Sequence, residues 1–113
     1  MSKLCREESA FLGPYDQWIA FKGWSPGDHS SNETSGTIIC THGLGDTAGA
    51  FDVVGPLLAK QNYRVLAIDL PGHGFSSHSG RYGLYQIAEA ILRFVVALEL
   101  RDEKLILISH SFS

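Results

Sequence analysis

The sequence has little of what marks several large classes of protein. No two lysines or arginines are adjacent, and the net charge is −3, so nothing in it resembles a nucleic-acid-binding patch. The longest uninterrupted apolar run, residues 94–98, is far too short to span a bilayer. The first eight residues mix both charges without an apolar segment, which argues against a secretory signal and predicts a cytoplasmic location.

Cysteine is also scarce, and the two cysteines, Cys5 and Cys40, do not have the spacing of a metal site. Cys40 lies in a short apolar run and is predicted to be a buried, reduced thiol, so we expect neither a disulfide nor zinc. What is present is an ordinary globular composition, with 113 residues of which 44% are hydrophobic. That length and composition predict one domain.

The hydrophobic pattern changes along the chain. Residues 17–24 are rich in β-formers and predict a strand that pairs with an earlier strand near residues 3–12, while residues 25–36 have the composition of a loop. Beyond them, apolar runs without alternation predict strands buried on both faces. These runs are residues 37–41, 64–70 and 105–108.

Helical patterns separate the three runs, at residues 52–61 and 82–100. The second has one apolar stripe, predicted to consist of Leu84, Ile87, Ala88, Ile91, Val95 and Leu98. Buried strands that alternate with helices predict right-handed crossovers and a parallel sheet. The predicted fold class is therefore α/β, with an antiparallel pair leading into a parallel sheet with crossover helices.

In open parallel sheets, sites form beyond the carboxyl ends of the strands. The segments that leave such ends here are His42-Gly-Leu-Gly-Asp46, Asp69-Leu-Pro-Gly-His-Gly74 and Ser109-His-Ser-Phe-Ser113. The last places Ser111 directly after a buried strand, where a sharp turn lifts a serine hydroxyl above the sheet as a nucleophile. The usual pattern of that turn is Gly-x-Ser-x-Gly, whereas this chain has Ser109 and Ser113 at the glycine positions. The alternative is that three alternating serines are a chance feature of a serine-rich chain.

The glycine-rich loop after His42 supplies a complementary group. Gly43 and Gly45 let backbone N–H groups face a cavity, where one could stabilise an oxyanion. We expect the amides of Leu44 and Phe112 to be these donors. The imidazole of His42 is predicted to be structural, packing the turn, and His73 is likewise predicted to be structural rather than catalytic.

With these motifs at these separations, the chain resembles the α/β-hydrolase superfamily, and within it is similar to the serine hydrolase-like proteins. The resemblance covers about residues 17–113 and implies an eight-stranded sheet, a lid, a serine–acid–histidine triad in that order, and no metal or organic cofactor. Carried onto this sequence, Ser111 matches the nucleophile, and Leu44 and Phe112 match the oxyanion donors. The implied reaction is hydrolysis of an ester or thioester, with the small-molecule substrate and the oligomeric state left open.

The same resemblance implies that residues 1–113 form an incomplete domain, truncated at the nucleophile turn. The later strands, the lid, the acid and the histidine would all follow residue 113, so we expect this chain alone not to turn over substrate. The strand at residues 105–108 would then be an exposed, apolar edge.

Two other interpretations stay open at this point. Gly43-Leu-Gly-Asp-Thr-Ala48, with Asp69 at the end of the next strand, fits the pattern of an NAD(P)-binding Rossmann domain. Against it, His42 precedes the first glycine, and an antiparallel pair precedes the supposed first strand. The other interpretation is a non-catalytic, truncated hydrolase-like protein, favoured by the two serines at the glycine positions.

Overall fold

The computed structural model describes residues 5–11, 18–26, 34–43, 45–74, 76, 84–98, 100 and 104–110. They form one five-stranded sheet with helices on both faces. In chain order the strands are β1 (Cys5–Phe11), β2 (Trp18–Trp24), β3 (Gly36–Thr41), β4 (Tyr63–Ile68) and β5 (Leu105–Ser109). The helices are α1 (Val54–Ala59) and α2 (Leu84–Ala97), and a short 3₁₀-helix at Ala48–Phe51 precedes α1.

The order of strands across the sheet is β1-β2-β4-β3-β5. The β1–β2 and β2–β4 pairs are antiparallel, whereas β3 pairs in parallel with β4 on one side and with β5 on the other. The predicted α/β class is therefore confirmed, including the antiparallel pair that leads into a parallel sheet. β3 lies between two parallel neighbours, so the loops that follow β4, β3 and β5 leave one edge of the sheet side by side.

Alternate residues of each strand face opposite sides of the sheet, and each side has its own core. On one side, α2 packs through Ile87, Ala90 and Phe94 against Ile39 and other strand residues. On the other side, the 3₁₀-helix and α1 pack against a second set, which comprises Trp24, Ile38, Cys40, Val65 and Ala67. The thiol of Cys40 is fully buried and free, and burial raises its pKa to about 11.

The stripe of α2 differs from the prediction. Phe94 is fully buried and meets the ring of Phe21 edge-on at 5.1 Å between centroids, although the predicted stripe did not include it. Ala88, which the stripe did include, is exposed. The side chain of Leu84 lies outside the described part of the structure.

The first predicted helix is shorter than expected. Instead of one helix over residues 52–61, the chain forms the 3₁₀-helix, capped by the Thr47 hydroxyl that accepts the Gly49 N–H at 3.2 Å, and then α1. Pro56 is tolerated because it lies in the first turn of α1. The helix ends before Asn62, which has a φ of 73°, a left-handed conformation that asparagine tolerates.

The apolar run in β5 predicted burial on both faces, but in this structure Leu105, Leu107 and Ile108 are 37%, 57% and 36% exposed. β5 is more exposed than expected because it lies at the end of the sheet, where β3 is its one neighbour among the described strands. The exposed edge strand that the resemblance implied is therefore what the structure shows.

Candidate functional site

Three loops meet at the carboxyl edge of the parallel strands. The register pairs Thr41 of β3 with Ile68 of β4 and with Ser109 of β5, so the three strands end at the same level. One loop begins at His42, the second at Asp69 and the third at His110. The structure therefore brings the beginnings of the three motifs identified in the sequence to the same edge of the sheet.

The side chain of His42 bridges the first two loops. It is 1% exposed, and its Nε2 accepts the backbone N–H of Leu70 at 2.9 Å. Its Nδ1 lies 2.7 Å from the carbonyl oxygen of Gly43 and must be the protonated nitrogen of a neutral ring, since Nε2 is an acceptor. Burial lowers the pKa of His42, and the nearby His73 lowers it further. The hydrogen bond to the Gly43 carbonyl and the charges of two aspartates raise this pKa, but the net shift is downward.

His73 makes the reciprocal connection. Its Nε2 accepts the N–H of Gly45 at 3.0 Å, and its Nδ1 lies 3.0 Å from the carbonyl oxygen of Pro71 in its own loop. The rings of His42 and His73 are 5.0 Å apart between centroids. Both imidazoles therefore have both nitrogens in hydrogen bonds to backbone groups, which leaves neither available as a general base.

Asp69 and Ser76 connect the second loop to neighbouring parts of the fold. The Oδ1 of Asp69 accepts the buried N–H of Ala48 at 2.7 Å, which connects the loop to the start of the 3₁₀-helix. The Ser76 hydroxyl donates to the Asp69 carbonyl at 2.5 Å and accepts the N–H of Ala20 in β2 at 2.9 Å. Within the described residues, no buried side-chain nitrogen or oxygen lacks a hydrogen-bond partner.

Gly74 is required in this arrangement. Its φ is +51°, and a Cβ added there would lie 2.3 Å from the Oδ2 of Asp69. The last glycine of the Asp-x-Pro-Gly-His-Gly sequence is thus explained by close packing, because it admits the carboxylate that connects this loop to the start of the 3₁₀-helix.

The third loop begins beside the first. The backbone N–H of His110 donates to the carbonyl of Thr41 at 3.0 Å, and the Thr41 hydroxyl donates to that of Ser109 at 2.9 Å. Ser109 stands where the usual turn has glycine, yet among the described residues the only non-glycine with positive φ is Asn62. The backbone at Ser109 therefore shows no left-handed strain, and its hydroxyl has a partner.

Of the site residues predicted from sequence, His42, Gly43 and Gly45 are described, and they lie together in the first loop. Gly43 is buried and Gly45 is exposed with a φ of +84°. The proposed nucleophile Ser111, the proposed oxyanion donors Leu44 and Phe112, and Ser113 lie outside the described residues.

The hydrogen bonds that cross between the loops were missed by the sequence analysis. His73 is 28 residues from Gly45, and no local pattern connects them. The one usable signal was that each histidine is next to a glycine in a segment that follows a predicted strand.

The loop geometry also weighs against a dinucleotide site. The amide N–H groups of Gly45 and Ala48 would have to face a pyrophosphate, but they donate instead to His73 and Asp69. Asp69 itself is 5% exposed, whereas the ribose of a dinucleotide would need it accessible. A 3₁₀-helix of four residues, rather than an α-helix, follows the loop.

Comparison with known proteins agrees with this arrangement. A family model that describes the alpha/beta hydrolase fold matches residues 36–112. A serine hydrolase-like protein of Dictyostelium discoideum is 42% identical over 60 residues, which is 53% of this chain and 15% of that protein. One of Danio rerio is 38% identical over 76 residues, 66% of this chain and 23% of the relative. The chain thus spans less than a quarter of the length of these two relatives.

Solved structures show the same architecture. A thioesterase domain from the curacin biosynthetic pathway has a TM-score of 0.74 and 34% identity, covering 94% of this chain and 37% of that one. A membrane phospholipase A has a TM-score of 0.77 and 26% identity, covering 95% and 32%. An epoxide hydrolase from an endophytic Streptomyces has a TM-score of 0.72 with 20% identity over 96% of this chain and 30% of that one, which is a likeness of fold alone.

Two negative findings apply to the part of the chain that the structure describes. No helix there has both the length and the apolarity needed to cross a membrane. No group of three or more histidine, cysteine, aspartate or glutamate side chains there is placed to hold a metal ion.

Proposed function

Because this chain belongs to the α/β-hydrolase fold family, and is similar within it to serine hydrolase-like proteins, we propose that its complete protein is a serine hydrolase acting on an ester or thioester. In this proposal Ser111 attacks the acyl carbon, and the backbone N–H groups of Leu44 and Phe112 stabilise the oxyanion. Water then releases the acyl group from the serine. Residues 1–113 correspond to one incomplete domain of that protein.

The observation that carries the proposal is the pairing of β3 with β5. Thr41 and Ser109 are register partners joined by a hydroxyl–hydroxyl bond of 2.9 Å, and the His110 amide continues the pairing at 3.0 Å. The loop at Gly43 and the segment that begins at His110 therefore leave neighbouring strands at the same level. A nucleophile on one and an amide on the other are what acyl transfer at such an edge needs.

A serine hydroxyl needs a general base at neutral pH. His42 and His73 cannot supply it, because their nitrogens are engaged with backbone groups. In the proposal the base and its acid partner come from sequence outside these 113 residues, so residues 1–113 alone are expected not to turn over substrate.

The acyl class of substrate has support from two structural neighbours described as a thioesterase domain and a phospholipase A. Epoxide hydrolases of the same fold use an aspartate nucleophile, and the sequence here has Ser111 at that position, which favours acyl over epoxide chemistry.

A fluorophosphonate probe tests the assignment, since it forms a covalent bond with an activated serine. The complete protein is expected to be labelled, and Ser111→Ala is expected to abolish labelling. Ser113→Ala is the matched control, because it removes a hydroxyl two residues away and should leave labelling in place. Labelling that persists in Ser111→Ala would exclude this serine as the nucleophile.

The same experiment separates the second candidate, a non-catalytic hydrolase-like protein. The serines at positions 109 and 113 favour that candidate, because the usual turn has glycine at both. It predicts a folded complete protein that the probe does not label at all, whereas a serine hydrolase predicts a single labelled site.

A further inference from the structure

The mechanism proposed above uses neither His42 nor His73, although both lie at the centre of the loop cluster. Each ring donates from Nδ1 to a carbonyl of its own loop and accepts at Nε2 an amide of the other loop. This reciprocal pair, which we call the histidine pair, connects residues 28 positions apart in the sequence twice. Such a double connection fixes one loop relative to the other.

We propose that His73 is a positioning residue for the hydrolase reaction, which accepts the Gly45 N–H and so holds the loop that carries the proposed oxyanion donor. The inference rests on the proposed function, because a positioning role requires the oxyanion donor to be in this loop.

The argument starts from the two peptide groups on either side of position 44. The carbonyl of Gly43 belongs to the first, and it accepts the Nδ1–H of His42 at 2.7 Å and the Asp46 N–H at 3.1 Å. A peptide group is planar, so two hydrogen bonds to its carbonyl restrict the rotation of the whole group. The nitrogen of this peptide group belongs to Leu44, the proposed oxyanion donor.

The second peptide group ends in the N–H of Gly45, which His73 accepts at 3.0 Å. Gly45 has a φ of +84° and no atom within 4 Å of where a Cβ would be, so packing does not hold it. The imidazole of His73 is its described restraint. Oxyanion donors contribute most when they are fixed before the reaction, because no reorganisation is then needed.

Two variants of the complete protein separate positioning from bulk packing. His73→Gln keeps an oxygen that can accept the Gly45 N–H. His73→Phe keeps a ring of similar size but has no acceptor. Val65→Ala, in the buried part of β4, is the control for lost stability alone. The measurements are kcat and KM for hydrolysis of p-nitrophenyl butyrate at pH 8 and the melting temperature of each variant.

At pH 8, His73→Phe is expected to lower kcat about 10- to 100-fold with KM little changed, less than the about 100- to 1,000-fold lost with an oxyanion donor. His73→Gln should stay within about threefold of the unmodified protein at pH 8. Val65→Ala should lower the melting temperature and leave kcat and KM within about threefold of the unmodified protein.

Full kcat in a folded His73→Phe would overturn the inference, as would an equal loss of kcat in His73→Gln and His73→Phe. If His73→Phe does not fold, His73→Ala, which also lacks the acceptor, takes its place. The failure of the proposed function has a different signature, namely labelling that survives in Ser111→Ala. If Ser111→Ala abolishes labelling and the His73 variants behave like the unmodified protein, only the present inference fails.

Discussion

The close approach of Gly74 to Asp69 gives a sharp prediction for the substitution Gly74→Ala. The φ of Gly74 is +51°, and an added Cβ would lie 2.3 Å from Oδ2 and 2.4 Å from Cγ of Asp69. Non-bonded carbon and oxygen atoms do not approach so closely, so the carboxylate has to rotate away. Rotation breaks its 2.7 Å hydrogen bond with the buried N–H of Ala48.

The expected cost has two parts. An L-residue in the left-handed region costs about 1–2 kcal/mol relative to glycine. Loss of a hydrogen bond between a carboxylate and a buried amide costs about 1.5–3 kcal/mol, since the amide is left without a partner. Together they predict that Gly74→Ala lowers the free energy of unfolding by about 2.5–5 kcal/mol.

Gly45→Ala is the matched control, because it has the same kind of backbone strain without the contact. Its φ is +84°, and nothing lies within 4 Å of an added Cβ, so about 1–2 kcal/mol is expected. Urea unfolding of the complete protein measures both values. Equal losses in the two variants would show that the contact with Asp69 contributes nothing and would refute the reasoning.

Three further predictions concern other parts of the fold. Gly55→Ala should lower the melting temperature despite the better helix propensity of alanine, because its Cβ would lie 2.5 Å from the buried ring of Trp24; an unchanged or raised melting temperature would contradict this. In a Cys5→Ser background, Cys40 should react with iodoacetamide at pH 8 only after denaturation, because burial raises its pKa to about 11 and leaves almost no thiolate; rapid alkylation of the native protein would argue against it. The free energy of unfolding should fall as the pH drops below about 6.5, the ordinary value for His42, because its lowered pKa makes the unfolded chain bind more protons; His42→Asn should make this slope shallower, and an unchanged slope would exclude His42 as the cause.

Much of the fold followed from local patterns. The apolar runs at β3 and β4 predicted strands buried on both faces, and the structure confirms both. The composition of residues 17–24 predicted the strand and its antiparallel partner, which are β2 and β1. These features depend on the side chains of the segment itself, so the sequence reports them directly.

The missed features depend on contacts between distant segments. The apolar run of β5 could not show that the strand pairs on one side only. The 3₁₀-helix before α1 begins at a cap made by Thr47, and no change in hydrophobicity marks that position. The histidine pair forms only after two loops have been brought together by strand pairing, and neither loop alone contains its partner.

The same limit applies to the site. The sequence led to the right edge of the sheet, because carboxyl ends of parallel strands converge there. It did not predict that His73 would accept the Gly45 amide or that Ser109 would be paired with Thr41. These are hydrogen bonds whose partners are chosen by register and not by neighbouring residues.

The order of strands has a consequence for how this protein emerges during synthesis. β2 and β3 follow each other in the chain, yet β4 lies between them in the sheet. A nascent chain that has produced only β1, β2 and β3 cannot close its sheet, and a space one strand wide must be kept for a segment not yet made. Until β4 has been synthesised, both β2 and β3 have backbone groups without their partner strand. During this interval the growing chain is open to strand pairing with other chains.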